Sequence, residues 1–291
     1  MKNKPRSIVI IGGGFSGMVL AANLLRRAPH QPLHITMVER SPQLGGPAYA
    51  ARDYPYLLNV PASRMSADSR RPGAFLEFAR RRAPATGAED FVPRAWYGDY
   101  LRQMLAEAQA GAPRARLERV HGDVTHLSRS GAGFRVALRD GRVLRAGEVV
   151  LASGNPPPAQ LPALEALADH PRYVRDGCRD RGIRQMSGEV LLVGTGLTMA
   201  DAALAAGSRG AARVFAISRR GLLPPPQSSG SHAVRSGLVA GSLAEVRTPR
   251  AMLRVARQLA RQAEAAGGDW RSIVNEIREE APALWRRLDR R

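Results

Sequence analysis

The chain has 291 residues, 44% of them apolar, and a formal net charge of +19. That length supports a real core in two domains or one large one, and no apolar run approaches the roughly 20 residues that span a bilayer. Cys178 is the only cysteine, which excludes an intrachain disulfide and a dithiol redox relay. The charge invites a nucleic-acid reading. However, Lys2 and Lys4 are the only lysines, the arginines are scattered, and aromatic residues are too few for a base-stacking platform. Solvated arginine faces are the better account, and a nucleic-acid partner is not expected. Met1-Lys2-Asn3-Lys4 runs directly into the first strand, leaving no room for a signal peptide, so the expectation is a cytosolic protein.

Ile8-Val9-Ile10-Ile11 reads as a parallel strand buried on both faces, since β-branched residues fill it without polar alternation. It runs into Gly12-x-Gly14-x-x-Gly17, followed by an apolar-striped helix from Met18 to Leu25. Gly12 would make the tight turn, Gly14 would let backbone approach a pyrophosphate, and Gly17 would let the helix pack close to the strand. An anion then sits at the helix N-terminus. A second strand, Leu33 to Val38, ends in Glu39, about 20 residues past the last glycine, where a carboxylate would bind an adenosine ribose.

Pro and Gly content makes Arg40 to Ala50 a loop, and Pro61 breaks regular structure between Leu57 and Ser66. A helix is expected from Pro72 to Ala83, with Pro in its first turn and Phe75, Leu76 and Phe78 as core contacts. After a polar loop at Ala85–Asp90, a helix runs to about Ala110 with Leu101, Leu105 and Ala108 on one face. Trp96, Tyr97 and Tyr100 on it are either core packing or the wall of a pocket. Short strands at Leu117–Val120, Asp123–Leu127, Gly133–Leu138 and Val143–Arg145 read as a meander, with Asp140-Gly141 as a hairpin turn. Glu148 to Asn155 is another parallel strand ending in a glycine turn, and Pro156-Pro157-Pro158 starts a linker.

The second half repeats the opening. Glu189–Val193 is a buried strand, and Gly194-Thr195-Gly196 turns into a helix from Ala200 to Ala206, with Met199 in place of the third glycine. The next strand, Arg213–Ile217, ends in Ser218-Arg219-Arg220 instead of an acid. Arginines suit a 2′-phosphate, so this site is expected to prefer NADPH to NADH. The Ser- and Gly-rich stretch to about Ser242 reads as a loop over the cofactor. Two amphipathic helices, Pro249–Ala266 and Asp269–Asp289, close the chain, with Asp269 as a cap. The histidines (His30, His34, His121, His126, His170, His232) show no zinc-ligand spacing.

Gly12 to Gly17, Gly46-Pro47-Ala48-Tyr49, Leu58 to Ser66, Val92 to Leu101, His170 to Tyr173, Val193 to Asp201 and Ser218 to Pro224 together resemble the bacterial FAD/NAD(P)-binding oxidoreductases, distant relatives of flavin-dependent monooxygenases. The resemblance implies an α/β protein with two Rossmann-like folds and a helical C-terminal tail. Its expected parts are an FAD-binding domain at 1–157, an NADP-binding domain at 158–240 and a helical segment at 241–291. FAD is expected against Gly12, Gly14, Phe15, Ser16, Gly17, Glu39, Arg40, Tyr49, Asn59, Val60, Met65, Tyr97, Val124, Ser153 and Gly154. NADP(H) is expected against Gly194, Gly196, Leu197, Thr198, Ser218, Arg219 and Arg220. Family members continue past the helices, and three readings stand open: a naturally short chain, a further segment supplied by a homo-oligomer or a partner subunit, or a loosely held flavin. The implied activity is NADPH-dependent flavin monooxygenation of a small molecule. The alternatives are a flavin reductase or electron-transfer flavoprotein, and a non-catalytic nucleotide-binding subunit.

Overall fold

The structure is a computed structural model that describes residues 6–27, 30, 32–50, 56–176, 187–226 and 238–288. Cys178, His232 and much of the expected loop after Gln227 lie outside these residues. Contacts divide the chain into two compact units, Met1–Pro226 and Gln227–Arg291.

In the first unit β1 (Arg6–Ile11), β2 (Leu33–Glu39), β3 (Ala115–His121) and β7 (Glu148–Leu151) form a parallel sheet in the order β3-β2-β1-β7. The helix α1 (Phe15–Arg27) connects β1 to β2. Between β2 and β3 come the short α2 (Gly46–Tyr49), α3 (Ala74–Arg82) and α4 (Arg94–Ala110). An antiparallel meander of β4 (Val124–Ser130), β5 (Gly133–Leu138) and β6 (Val143–Ala146) precedes β7. Alternation along β1 explains the layering. Ile8 and Ile10 point into a core shared with Met18 and Leu25 of α1 and Leu101 and Leu105 of α4. Val9 points the other way, into a second core with Val38, Val120 and the meander residues Val136 and Leu138. Both faces of β1 are therefore covered, as its unbroken apolar run requires.

Four local expectations are corrected. Leu117–Val120 does not belong to the meander; as part of β3 it pairs in parallel with β2, from Leu33↔Ala115 to Glu39↔His121, because the crossover through α4 returns it to the sheet. The loop after Glu39 contains a helical turn, α2, entered through the positive φ of Gly45 and Gly46. Pro72 lies ahead of α3, whose N-cap is Gly73. The first three residues of the next helix, α5 (Leu197–Ser208), come before the expected start at Ala200.

Later in this unit β8 (Gly188–Val193) pairs in parallel with β9 (Ala211–Ile217), with α5 between them in sequence. The second unit holds α6 (Leu238–Leu243), α7 (Pro249–Ala265) and α8 (Trp270–Arg287) around Val239, Leu243, Leu259, Ile273 and Leu284. Thr248 caps α7, and Asp269 caps α8 through the Arg271 N–H at 2.8 Å. The boundary expected after residue 240 falls inside α6, which packs with the other two helices.

Candidate functional site

A cleft of about 560 Å³ opens where β1, β2 and β7 end, bordered by Ile11, Glu39 and Ala152 at their tips. This is where open parallel sheets take ligands, since the strand ends splay and the helix N-termini face the gap. The turn at its floor is built by contacts that only glycine permits. Gly12 has φ +114°, and a Cβ there would lie 2.2 Å from the Ala152 carbonyl oxygen. A Cβ on Gly17 would lie 1.9 Å from the Gly12 oxygen, so this glycine sets how closely α1 approaches β1. Gly14 differs: the nearest atom to its Cβ position is Gly46 Cα, at 4.0 Å. Packing does not demand glycine at that position, which faces open space above the α1 N-terminus.

Glu39 locks this floor. Its carboxylate accepts from the Gly13 N–H at 2.7 Å and the Ser41 N–H at 2.9 Å. Each oxygen keeps a lone pair for a further donor. The opposite wall is α2 and the residues before it. Gly45 N–H donates to the Gly13 carbonyl at 3.0 Å, and Arg102 of α4 donates to the Leu44 carbonyl at 2.6 Å. Arg102 is itself paired with Asp99, which also holds Arg82 at 2.5 Å. Gly98 lets α2 lie against α4, since a Cβ there would be 2.2 Å from the Tyr49 oxygen.

Of the residues expected at the first cofactor, Gly12, Gly14, Phe15, Ser16, Glu39, Arg40, Tyr49, Val124, Ser153 and Gly154 border the cleft. Gly17, Asn59, Val60, Met65 and Tyr97 do not. Gly17 is spent on packing, Met65 packs against the helix-side core, and Asn59 is exposed. Tyr97 is 2% exposed. It stands behind the cleft wall, 4.8 Å from the Tyr49 ring and 6.2 Å from Phe15, in a cluster that continues to Phe75 and Tyr100. Burial pushes the Tyr97 and Tyr49 phenols above the ordinary tyrosine range, and the Arg94 charge partly offsets this at Tyr49. Gly122, Asp123 and Asn155 also border the cleft. Gly122 and Asp123 are not among the expected residues; the signal for them is a glycine just past a strand that ends beside Glu39.

The second turn shares a backbone bond with the first but not its setting: β8, expected to be buried, is largely exposed, because no further strand or helix layer covers it among the described residues. Gly194 has φ +108° and donates to the Ile217 carbonyl at 2.8 Å, as Gly12 donates to Val38 at 2.8 Å. Gly196 caps α5, and Leu197 and Thr198 begin it. Thr195 Oγ1 lies 2.8 Å from Ser218 Oγ and donates to the Leu222 carbonyl at 2.6 Å, which gathers the turn and the residues after β9. Arg219 and Arg220 are exposed there, without an ion-pair partner among the described residues.

A parallel sheet with a glycine turn, a helix N-terminus and an acid at the next strand's end defines a dinucleotide-binding α/β protein. The chain belongs to the FAD-NAD(P)-binding family, whose profile matches residues 9–156. Among solved structures, cyclohexanone monooxygenase in its closed form aligns at TM-score 0.51 and 18% identity, covering 74% of this chain and 39% of that one. A cyclohexanone monooxygenase mutant from Rhodococcus sp. Phi1 bound to NADP+ aligns at TM-score 0.49 and 19% identity, over 74% and 39%. A flavin monooxygenase mutant from Stenotrophomonas maltophilia aligns at TM-score 0.46 and 22% identity, over 73% and 58%. The chain thus spans 39% of the cyclohexanone monooxygenases it matches, and the likeness to the closed form is one of fold. No curated protein matches in sequence. Among the described residues no helix is long and apolar enough to cross a membrane, and no group of His, Cys, Asp and Glu could hold a metal.

Proposed function

We propose that the chain is an FAD-containing, NADPH-dependent oxidoreductase of the monooxygenase type acting on a small molecule, with FAD held by residues 1–157 and NADPH by the β8–α5–β9 segment. The observation that carries this reading is the open cradle at Gly14. A Cβ there would meet only Gly46 Cα, at 4.0 Å and without a clash, yet it would fill the approach to the α1 N-terminus. When bound, FAD would take hydride from NADPH and deliver electrons to dioxygen.

The protein's own part is binding and orientation. The first-turn N–H groups of α1 would bind the pyrophosphate, and Glu39, already aimed at the turn, would take the ribose hydroxyls with its spare lone pairs. Phe15 and Tyr49 would give the cleft an apolar wall that excludes water. At the second turn Ser218, Arg219 and Arg220 would bind the 2′-phosphate, where the guanidinium geometry suits a bidentate grip.

The test is the absorbance spectrum of the isolated chain, with chromatography of the released cofactor. A flavin spectrum bleached anaerobically by NADPH is the expected result. A chain that is colourless and does not take up added FAD would overturn the reading. Substrate-coupled oxygen uptake would separate a monooxygenase from a reductase that passes electrons onward.

A further inference from the structure

One ion pair joins α4, which backs the wall of the first cleft, to α5, which follows the second glycine turn. Arg94, the first residue of α4, donates through Nη2 to Asp201 Oδ2 at 2.9 Å, a contact between residues 107 apart in sequence. Asp201 lies one turn into α5, just past Gly194 and Gly196. The side chains are 27% and 25% exposed, so the pair is substantially shielded. Arg94 cannot swing freely: its Nε donates to the Leu57 carbonyl at 2.8 Å and its backbone N–H to Tyr56 at 2.7 Å.

Both members carry a local cost. A cation at the N-terminus of α4 opposes the helix dipole. Asp201 is desolvated in α5, and burial raises its carboxyl while Arg94 lowers it. The contact with Asp201 offsets part of both costs and ties α4 to α5 across 107 residues of sequence. One turn along α4 from Arg94, Tyr97 and Gly98 meet Tyr49, and Tyr49 borders the first cleft. A continuous run of contacts therefore leads from α5 through Arg94 and α4 to the wall of that cleft.

We propose that Arg94 and Asp201 form a strut that holds the second glycine turn at a fixed distance from the first cleft. They are positioning residues, and the inference rests on the two-nucleotide reading above. Without the strut each turn would still bind its nucleotide, but the spread of distances between them would widen. Hydride transfer is steep in distance, and a misplacement of about 1 Å costs up to roughly 100-fold in rate.

The test uses the full chain in a Cys178→Ser background, with nitroxide labels at Ser130→Cys and Leu204→Cys, both exposed positions. Pulsed dipolar spectroscopy then reads the distance distribution without any cofactor. Asp201→Asn is expected to broaden that distribution. At saturating NADPH it should slow flavin bleaching by roughly tenfold or more, with flavin content unchanged. Arg94→Asp and Asp201→Arg should each do the same, and the double exchange should restore both the narrow distribution and the rate. If Asp201→Asn unfolds, Arg94→Gln reads the same contact from the other side. An unchanged distribution in these variants, or a double exchange that restores neither readout, would overturn the strut. Colourless protein would overturn the functional reading, leaving the strut to be judged on the distance distribution alone.

Discussion

Gly14→Ala places one methyl group on the floor of the cleft. Its φ is not positive, and its Cβ would meet only Gly46 Cα, at 4.0 Å. Folding stability should therefore hold or rise by about 0.4–1 kcal/mol, as alanine narrows the unfolded ensemble. Binding should suffer, because the methyl stands where a phosphate must approach the α1 N-terminus. Losing one hydrogen bond to a charged oxygen costs about 1.5–3 kcal/mol, or roughly 10- to 100-fold in Kd for FAD. Gly17→Ala is the control with the opposite signature. Its Cβ would sit 1.9 Å from the Gly12 oxygen, so α1 must move off β1. Overpacking of this kind costs about 1–3 kcal/mol, a drop in Tm of a few degrees or more. Thermal unfolding without cofactor and flavin-fluorescence titration separate the two effects. A Gly14→Ala chain that binds FAD like the parent, or unfolds as early as Gly17→Ala, would refute the assignment of the cradle.

Three more outcomes are expected. Arg219→Ala should weaken NADPH several-fold while leaving NADH nearly unchanged, as judged from KM for each; equal effects would remove the 2′-phosphate grip. Arg102→Ala frees the Leu44 carbonyl and should cost about 1–2 kcal/mol of stability and weaken FAD, seen in the same titration. The Arg70 side chain, then Arg26, hold the Asp68 carboxyl below its usual range. The folded value is depressed, so this contribution is full above the ordinary Asp value of about 3.9 and fades as pH falls through the folded one. Asp68→Asn should thus lose about 1 kcal/mol at neutral pH, after discounting the exposed Arg70, and match the parent in acid. A gap that persists unchanged at low pH would show that the contact is not ionic.

The first glycine turn could be read from sequence because every signal there is local: an apolar run, three glycines at fixed spacing, a helix stripe and an acid closing the next strand. The same locality hid β3. Arg116, Glu118 and Arg119 look like an exposed meander strand, and only the crossover through α4 decides that the strand pairs with β2. Tyr97 could equally have faced a ligand or the core, and its neighbours Phe75 and Tyr100, brought in by α3 and α4, placed it in the core. The α2 turn depends on Gly98 and Arg102, some 50 residues downstream, a dependence that no window around Gly46 contains. At the second turn Met199 stands in place of a third glycine, and the same backbone bond, Gly194 to Ile217, still forms.

The close fit of Gly12 beneath Ala152 also bears on the order of assembly. The register Ile8↔Glu148 makes β7 the neighbour that closes the β1 edge, and the nucleotide floor is finished only when this last strand docks. On the ribosome, β1 and β2 emerge long before that partner, presenting an apolar border open to wrong pairing. A nascent chain stalled before β7 should bind holdase chaperones and retain no flavin, and both properties should reverse within the few residues that carry β7 clear of the exit tunnel.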